Sequence, residues 1–420
     1  MIDPSVLKRK ITKLYGSDRT VVKRQMHRWN ALIVSHREKF SEPEVSLFST
    51  PGRTEIGGNH TDHNHGRVLA ASINLDSIAV AAKTSDSTIT IYSEGYARPF
   101  IVELNDLSPV DGEKGTTAAL IRGIASRCRE LGFQIGGFQA CITSDVLVGS
   151  GLSSSASVEV LIATILSTFY NTSSIGLQEI ALIGQYAENV YFGKPCGLMD
   201  QTACAVGGII TIDFKDPDHP KVRKVPCDFS RGGLSLLVVD TGGDHADLTG
   251  DYAAIPREMR LVAKHFGKEY CREVDGRALI ADVRDLRKKV GDRAVLRALH
   301  FLDDNRRVEA QVEALRKNDF RKFLRIVNES GNSSFRWLQN CYTPRNVEEQ
   351  GVSLALALTE RYLEEIGRGA CRVHGGGFAG TIQVFLPKKH VRKYVALMES
   401  AFTGGCVKEL SIRMVGTVQL

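Results

Sequence analysis

The sequence predicts an α+β fold of two domains, and three observations carry that expectation. Strand-like and helix-like segments mix in both halves without regular alternation, which argues against a doubly wound sheet. The chain has 420 residues, a length of two or three domains at about 150 residues each. A stretch rich in Pro, Asp, Lys and Gly (KDPDHPKVRKVPCDFSRGG, 215–233) interrupts the patterned segments and has the composition of a domain boundary. The expected division is a basic helical extension at 1–45, an N-terminal domain at 46–220 and a C-terminal domain at 221–420.

Residues 1–40 have a helical pattern, with Leu7, Ile11 and Leu14 at spacings of four and three. From about 46 the pattern turns to strands between Gly-rich turns: 68–82 is apolar with few charges, and 88–92 (TITIY) alternates. A helix is expected at 116–131 and a strand at 137–143. After GSGLSSSAS (149–157), Val158, Leu161, Ile162, Ile165, Leu166 and Phe169 form one helix face. A helix at 177–191 and strands at 207–214 and 234–240 follow. Residues 251–330 are mostly helical, 351–367 is a helix and 380–387 a strand.

Composition excludes several classes. With 43% hydrophobic and 24% charged residues, the chain is neither disordered, collagen-like nor a coiled coil. The net charge of +6 invites a nucleic-acid reading, yet residues 1–40 hold ten Lys and Arg against Asp3, Asp18 and Glu38. That segment accounts for +7 and leaves −1 for the rest, so a basic amphipathic helix packed on the body is expected, with no nucleic-acid partner. No run of 18 uncharged apolar residues predicts a membrane span, and the N-terminus lacks the apolar core of a signal peptide. Nine cysteines without a CxxC pair suit reduced thiols in a cytoplasm.

Four loops concentrate the chemistry. In GSGLSSSAS, Gly149 and Gly151 allow a turn whose amides converge on an anion, with a helix N-terminus behind them. This covers Gly149, Ser150, Gly151, Leu152, Ser153, Ser154, Ser155, Ala156 and Ser157; an ordinary capped turn is the plainer alternative. PGRTEIGGNHTDHNHG (51–66) crowds Arg53, Glu55, Asn59, His60, Asp62, His63 and His65 together. A metal site, a solvated loop and a polar-ligand loop are all open there; the missing zincin spacing and the surrounding glycines favour the ligand loop. Asp200 in CGLMDQ enters an apolar segment, which is costly without a partner or a task, with Glu188 twelve positions upstream; a helix N-cap for Asp200 and a solvated helix acid for Glu188 are the plainer alternatives. VHGGGFAG (373–380) places three adjacent glycines before a strand, which suits close backbone approach to a ligand or simply a strand corner.

Together, and in this order, the loops resemble the galactokinases of the GHMP small-molecule kinase superfamily. The first signature, PGRxNxIGEHTDYxxG, appears as PGRTEIGGNHTDHNHG. The second, PxGxGLSSSAS, appears as LVGSGLSSSAS; CGIMDQ as CGLMDQ; RMTGGGFGG as RVHGGGFAG. LTGDYAAIPREM (248–259) is similar to a further galactokinase segment, and the resemblance spans roughly 46–390.

The resemblance implies a two-domain GHMP-kinase architecture with the site in the cleft between domains. It implies ATP-dependent phosphorylation of the anomeric hydroxyl of D-galactose, with ATP and Mg²⁺ as cofactors. Asp200 takes the hydroxyl proton and Arg53 keeps Asp200 ionised. Ser155 and Glu188 match the Mg²⁺ positions, and 149–157 cradles the phosphates. Asn59, His60, Asp62, Gly197 and Tyr252 match sugar-contacting positions. Four departures from the family matter: Glu55 for Asn, Asn59 for Glu, His63 for Tyr, His374 for Thr. Because Glu only accepts hydrogen bonds where Asn also donates, Asn59 keeps open a related sugar such as galacturonate, N-acetylgalactosamine or arabinose. A non-catalytic sugar and ATP sensor is a further alternative, against which the intact GLSSSAS loop and Asp200 stand. A cytoplasmic monomer is expected.

Overall fold

The computed structural model describes residues 3–41, 44–147, 151–243 and 248–420. The N-terminal segment forms two helices, α1 (Pro4–Tyr15) and α2 (Arg19–Lys39), broken at Gly16 with φ +88°. The Asp18 carboxylate caps α2 by accepting from the Thr20 and Val21 amides. Leu7, Ile11, Trp29, Leu32 and Ile33 are buried against Leu47, Ile78, Val80 and Cys141 of the body. This is the packed amphipathic extension that the periodicity predicts.

The first sheet has eight strands in the order β12–β1–β2–β5–β3–β4, with β6 and β7 continuing from the other half of β2. Their ranges are β1 Ser46–Gly57, β2 Arg67–Lys83, β3 Thr88–Ser93, β4 Phe100–Glu103, β5 Phe138–Ser144, β6 Ile209–Asp213, β7 Lys221–Lys224 and β12 Val418–Gln419. All neighbours are antiparallel except β3 and β5. Strand alternation sorts side chains between faces: Phe48, Ala79 and Ala81 join one core and Leu47, Ile78 and Val80 the other. The first core is covered by α3 (Thr117–Glu130), α4 (Ser154–Tyr170), α5 (Leu177–Tyr186) and α6 (Met199–Val206).

The second sheet, in the order β11–β8–β10–β9, is formed by β8 Leu234–Asp240, β9 Ala370–Val373, β10 Thr381–Pro387 and β11 Val407–Leu410. The helices α7 (Thr249–His265), α8 (Gly276–Ala281), α9 (Val283–Val290), α10 (Asp292–Arg316) and α11 (Phe320–Ser333) lie between β8 and β9 in sequence. The helices α12 (Gly351–Ile366) and α13 (Val391–Ala401) cover one face of this sheet through Leu237, Val239, Leu356 and Met398. On its other face Leu236 and Val238 share a core with Leu69 and Ala71 of β2 and with Val308, Val312 and Phe323 of α10 and α11. The two sheets are thus joined through one apolar layer.

The α+β expectation holds, with local differences. β7 arises inside the Pro-rich stretch and pairs with β6; its sequence KVRK suits a charged sheet edge. The helix expected at 177–191 ends at Tyr186 and passes into a π-helical turn, Ala187–Phe192. All nine cysteines are free thiols. Among the described residues no helix is long and apolar enough to cross a membrane.

Trp29 is fully buried between α2 and the first sheet. Trp29→Ala should lower unfolding free energy by about 3–5 kcal/mol, read from denaturant titration. Val34→Ala, on the exposed side of α2, should change it by less than about 0.5 kcal/mol.

Candidate active site

Arg53 lies on β1 between two register shifts, Pro51/Arg53 and Glu55/Gly57. Such bulges re-aim side chains beside active sites. Its Nε donates to Asp200 Oδ1 at 2.7 Å and its Nη2 to Oδ2 at 2.6 Å. Its Nη1 donates to the Gly151 carbonyl, and its backbone amide to the Leu152 carbonyl at 3.1 Å. One side chain therefore ties the glycine-serine loop to the carboxylate of α6. Gly52 permits this approach, because a Cβ there would lie 2.9 Å from the Leu152 carbonyl oxygen.

Asp200 sits in the first turn of α6 and makes no cap bond there. The Ser153 hydroxyl also donates to Oδ2. Burial would raise the Asp200 pKa, but the Arg53 charge and these hydrogen bonds hold it below the ordinary carboxylate value. Ser153 has φ +61° and stands at the N-cap of α4, yet its side chain caps nothing. The amides of that first turn, unsatisfied at any helix start, are left without a side-chain cap.

Ser155 Oγ donates to Glu188 Oε1 at 3.1 Å, and Lys194 Nζ approaches the same oxygen at 3.4 Å. Glu188 belongs to the π-helical turn and is buried. Gln201 Nε2 donates to Glu188 Oε2 at 3.0 Å and to Glu159 Oε2 at 2.9 Å. Glu159 Oε1 is buried without a partner. Burial and then the Glu188 charge push the Glu159 carboxyl well above its usual range. Sequence reasoning missed Glu159 and Gln201; the available signal was an acid between Val158 and Val160 on an otherwise apolar helix.

The remaining loop residues divide by side chain. Leu152 and Ala156 are buried in apolar cores. The Ser157 hydroxyl bonds Ser77 Oγ at 2.7 Å and the Ser154 carbonyl at 2.9 Å. Gly149 and Ser150 lie outside the described residues.

The 58–66 loop meets the second Gly loop. His60, at φ +58°, bonds the Gly376 carbonyl through Nε2 at 2.8 Å, and burial lowers its pKa to about 4. Asp62 faces Gly197, where a Cβ would stand 2.1 Å from Oδ2, so a side chain there would push the Asp62 carboxylate aside. Tyr252 donates to the Gly377 carbonyl at 2.9 Å and packs edge-on to Phe378. A cavity of about 520 Å³ opens beside Asp62 and Gly197, lined also by His63, Arg260 and Tyr270; Arg53 and Asp200 do not line it. The histidines are dispersed, His65 stacking on Tyr270 at 3.6 Å. Among the described residues no group of three or more His, Cys, Asp or Glu side chains is arranged to hold a metal.

Asn59 departs from expectation, because its side chain does not line the cleft. It is fully buried. Nδ2 donates to Glu55 Oε1 at 3.1 Å and to the Gly375 carbonyl at 2.7 Å. Oδ1 accepts from Asn340 Nδ2 at 2.8 Å and from Ser334 Oγ at 3.3 Å. Two donors and two acceptors saturate an amide, leaving nothing for a ligand. Glu55 in turn pairs with Arg372 Nη2 at 2.6 Å. Asn59→Glu would set a second buried carboxylate against Glu55 and the Gly375 carbonyl. It should cost about 2 kcal/mol or more of stability, measured by denaturant titration; an unchanged midpoint would mean that this network is not formed.

Comparison with known proteins gives a consistent answer. The galactokinase galactose-binding signature matches residues 35–83, and the GHMP kinases N terminal domain matches 119–208. The galactokinase of Streptomyces coelicolor is 30% identical over 378 residues, covering 89% of this chain and 92% of that one. That of Glaesserella parasuis is 32% identical over 355 residues, 82% and 87% of the two chains. In fold, the Lactococcus lactis galactokinase complexed with galactose matches with a TM-score of 0.79 at 23% identity, covering 93% of this chain and 100% of that chain. The Methanococcus jannaschii mevalonate kinase matches at 0.62 and 16%, covering 89% and 100%. The motifs, the fold and full-length similarity at this level place the chain in the galactokinase family of the GHMP kinases.

Proposed function

We infer that this chain transfers the γ-phosphoryl group of ATP to the anomeric hydroxyl of D-galactose, giving α-D-galactose 1-phosphate and ADP. The observation that carries the reading is the Arg53–Asp200 pair, held against the first turn of α4. Phosphoryl transfer needs positioning and charge stabilisation more than covalent chemistry. Asp200 is assigned as the group that orients the sugar hydroxyl and receives its proton. Oδ2 already accepts two donors and Oδ1 only one, so Oδ1 keeps a lone pair for the hydroxyl. A carboxylate of lowered pKa is a weak base. It suits a proton that leaves late, once the bond to phosphorus has made the hydroxyl acidic. Arg53 holds that carboxylate ionised and fixes its direction.

The nucleotide phosphates are assigned to the loop 149–157 and the uncapped amides of α4. Ser155 and Glu188 are assigned to Mg²⁺. Two adjacent oxygens, one of them anionic, are a donor set that fits a hard cation, and Glu159 leaves one buried oxygen unpartnered close by. When bound, Mg²⁺ supplies neutralisation of the phosphate charge. His60, Asp62, Gly197 and Tyr252 are assigned to the sugar, and Asn59 to the scaffold beneath them. The division into domains at 46–220 and 221–420 belongs to the same reading, supported by the second sheet lying wholly within 221–420, although β7 and β12 of that part join the first sheet.

Release of ADP from Mg-ATP on addition of D-galactose tests the reading; no ADP with any hexose would overturn it. Asp200→Asn should lower kcat by about 10²- to 10⁴-fold with ATP binding retained, measured by coupled ADP release and by nucleotide titration. In Arg53→Met the burial of Asp200 acts without its main opposing charge, so the carboxyl pKa rises. The acid limb of kcat/KM should then move to higher pH; a limb that stays in place would show that the pair does not control Asp200.

A further inference from the structure

We propose that Arg28, in the N-terminal helices, is a positioning residue for the nucleotide loop. The proposal rests on assigning ATP to that loop. Of the ten basic side chains in residues 1–40, Arg28 is the one driven into the body. Its side chain is 11% exposed, and its partner Asp76, on β2, is fully buried. Nη1 donates to Asp76 Oδ1 at 2.5 Å and also stands 3.3 Å from Asp145 Oδ2. Nη2 donates to the Asp76 carbonyl at 2.7 Å and to the Thr143 carbonyl at 3.2 Å. A single planar fork therefore spans the end of β5, the middle of β2 and the first residue after β5, a geometry that Lys cannot copy.

These points adjoin Ser77, which holds the described end of the nucleotide loop. The Asp145 amide donates to the same Asp76 carbonyl at 2.9 Å. The next residue on β2, Ser77, bonds Ser144 Oγ at 2.9 Å on one side and Ser157 Oγ at 2.7 Å on the other. Ser157 Oγ then donates to the Ser154 carbonyl in the first turn of α4. The path from Arg28 thus reaches Asp145, four residues ahead of Gly149 in sequence, and the first turn of α4 through Ser77 and Ser157. The opposite flank is held by Arg53 on the Gly151 and Leu152 carbonyls. Arg24, far more exposed, adds a 3.9 Å contact to Asp145. This path does not reach the 58–66 loop, whereas the nucleotide loop itself touches Asp200 through Ser153, so the effect should fall on KM for ATP and on kcat and leave KM for galactose little changed.

The test is steady-state kinetics with ATP and D-galactose varied separately, beside a thermal melt of each variant. Wild-type ADP release establishes the underlying assignment independently. Arg28→Met should raise KM for ATP about tenfold or more with KM for galactose within twofold, and Arg28→Lys should recover only part of the loss. Asp145→Asn removes the half-exposed arm, leaves the Asp76 pair in place, and decides the matter should Arg28→Met fail to fold. It should raise KM for ATP about threefold with an unchanged melting temperature. Unchanged KM for ATP in the folded variants, whatever their melting temperature, would overturn the proposal. A parallel rise in both KM values would overturn it too, since that marks general loosening rather than positioning.

Discussion

The buried ion pair between Arg53 and Asp200 is the constraint on which the rest of the site depends. Two charges taken out of water repay that cost only with good geometry and further hydrogen bonds. The fold supplies both. A register shift in β1 brings the guanidinium out of the strand rhythm, and a glycine before it lets the loop backbone come close. Ser153 takes a left-handed conformation and sends its hydroxyl to Asp200 instead of capping α4. The carboxylate's charge is paired, the helix start carries no side-chain cap, and the two lie side by side. That juxtaposition separates an anion-binding end from a proton-accepting end within one site.

Much of this was legible in the sequence because it rests on local patterns. The period of Val158 to Phe169 marks α4, and the alternation at 88–92 marks β3. The four loops stand out through their glycines and polar density. The short strands β4, β7 and β11 were not legible, since four-residue edge strands with exposed, charged positions carry little periodic signal. Asn59 was visible as a substitution, but its surroundings were not. Ser334, Asn340 and Gly375, which fix its amide, lie some 275–316 positions away. Glu159 stayed hidden for the same reason, being defined by Gln201 and Glu188 on other segments.

The same contacts give meaning to two departures from the family signature. Where the signature has Asn and then Glu, this chain has Glu55 and then Asn59, and the two side chains bond each other at 3.1 Å. The pair is exchanged, so one carboxylate and one amide remain. The carboxylate now lies on the strand, against Arg372. Read singly, each substitution suggests altered sugar chemistry. Read together, they are a compensated swap within a closed polar network under the binding loop, and the half-buried His60 and Asp62 remain above it.

Asp76 gathers partners from distant parts of the chain: Tyr15 and Arg28 from the N-terminal helices, Ser49 from β1, and Arg413 from the last segment. That last segment also runs under the helix bearing Asp200, where the Thr417 amide donates to the Ala205 carbonyl at 3.2 Å. The 337 residues separating Asp76 from Arg413 take roughly 15–70 s to synthesise at about 5–20 residues per second. During that interval the carboxylate has been made and one of its two cations has not. Arg28 precedes it on the ribosome, so the N-terminal helices can neutralise Asp76 while the second sheet is still being translated.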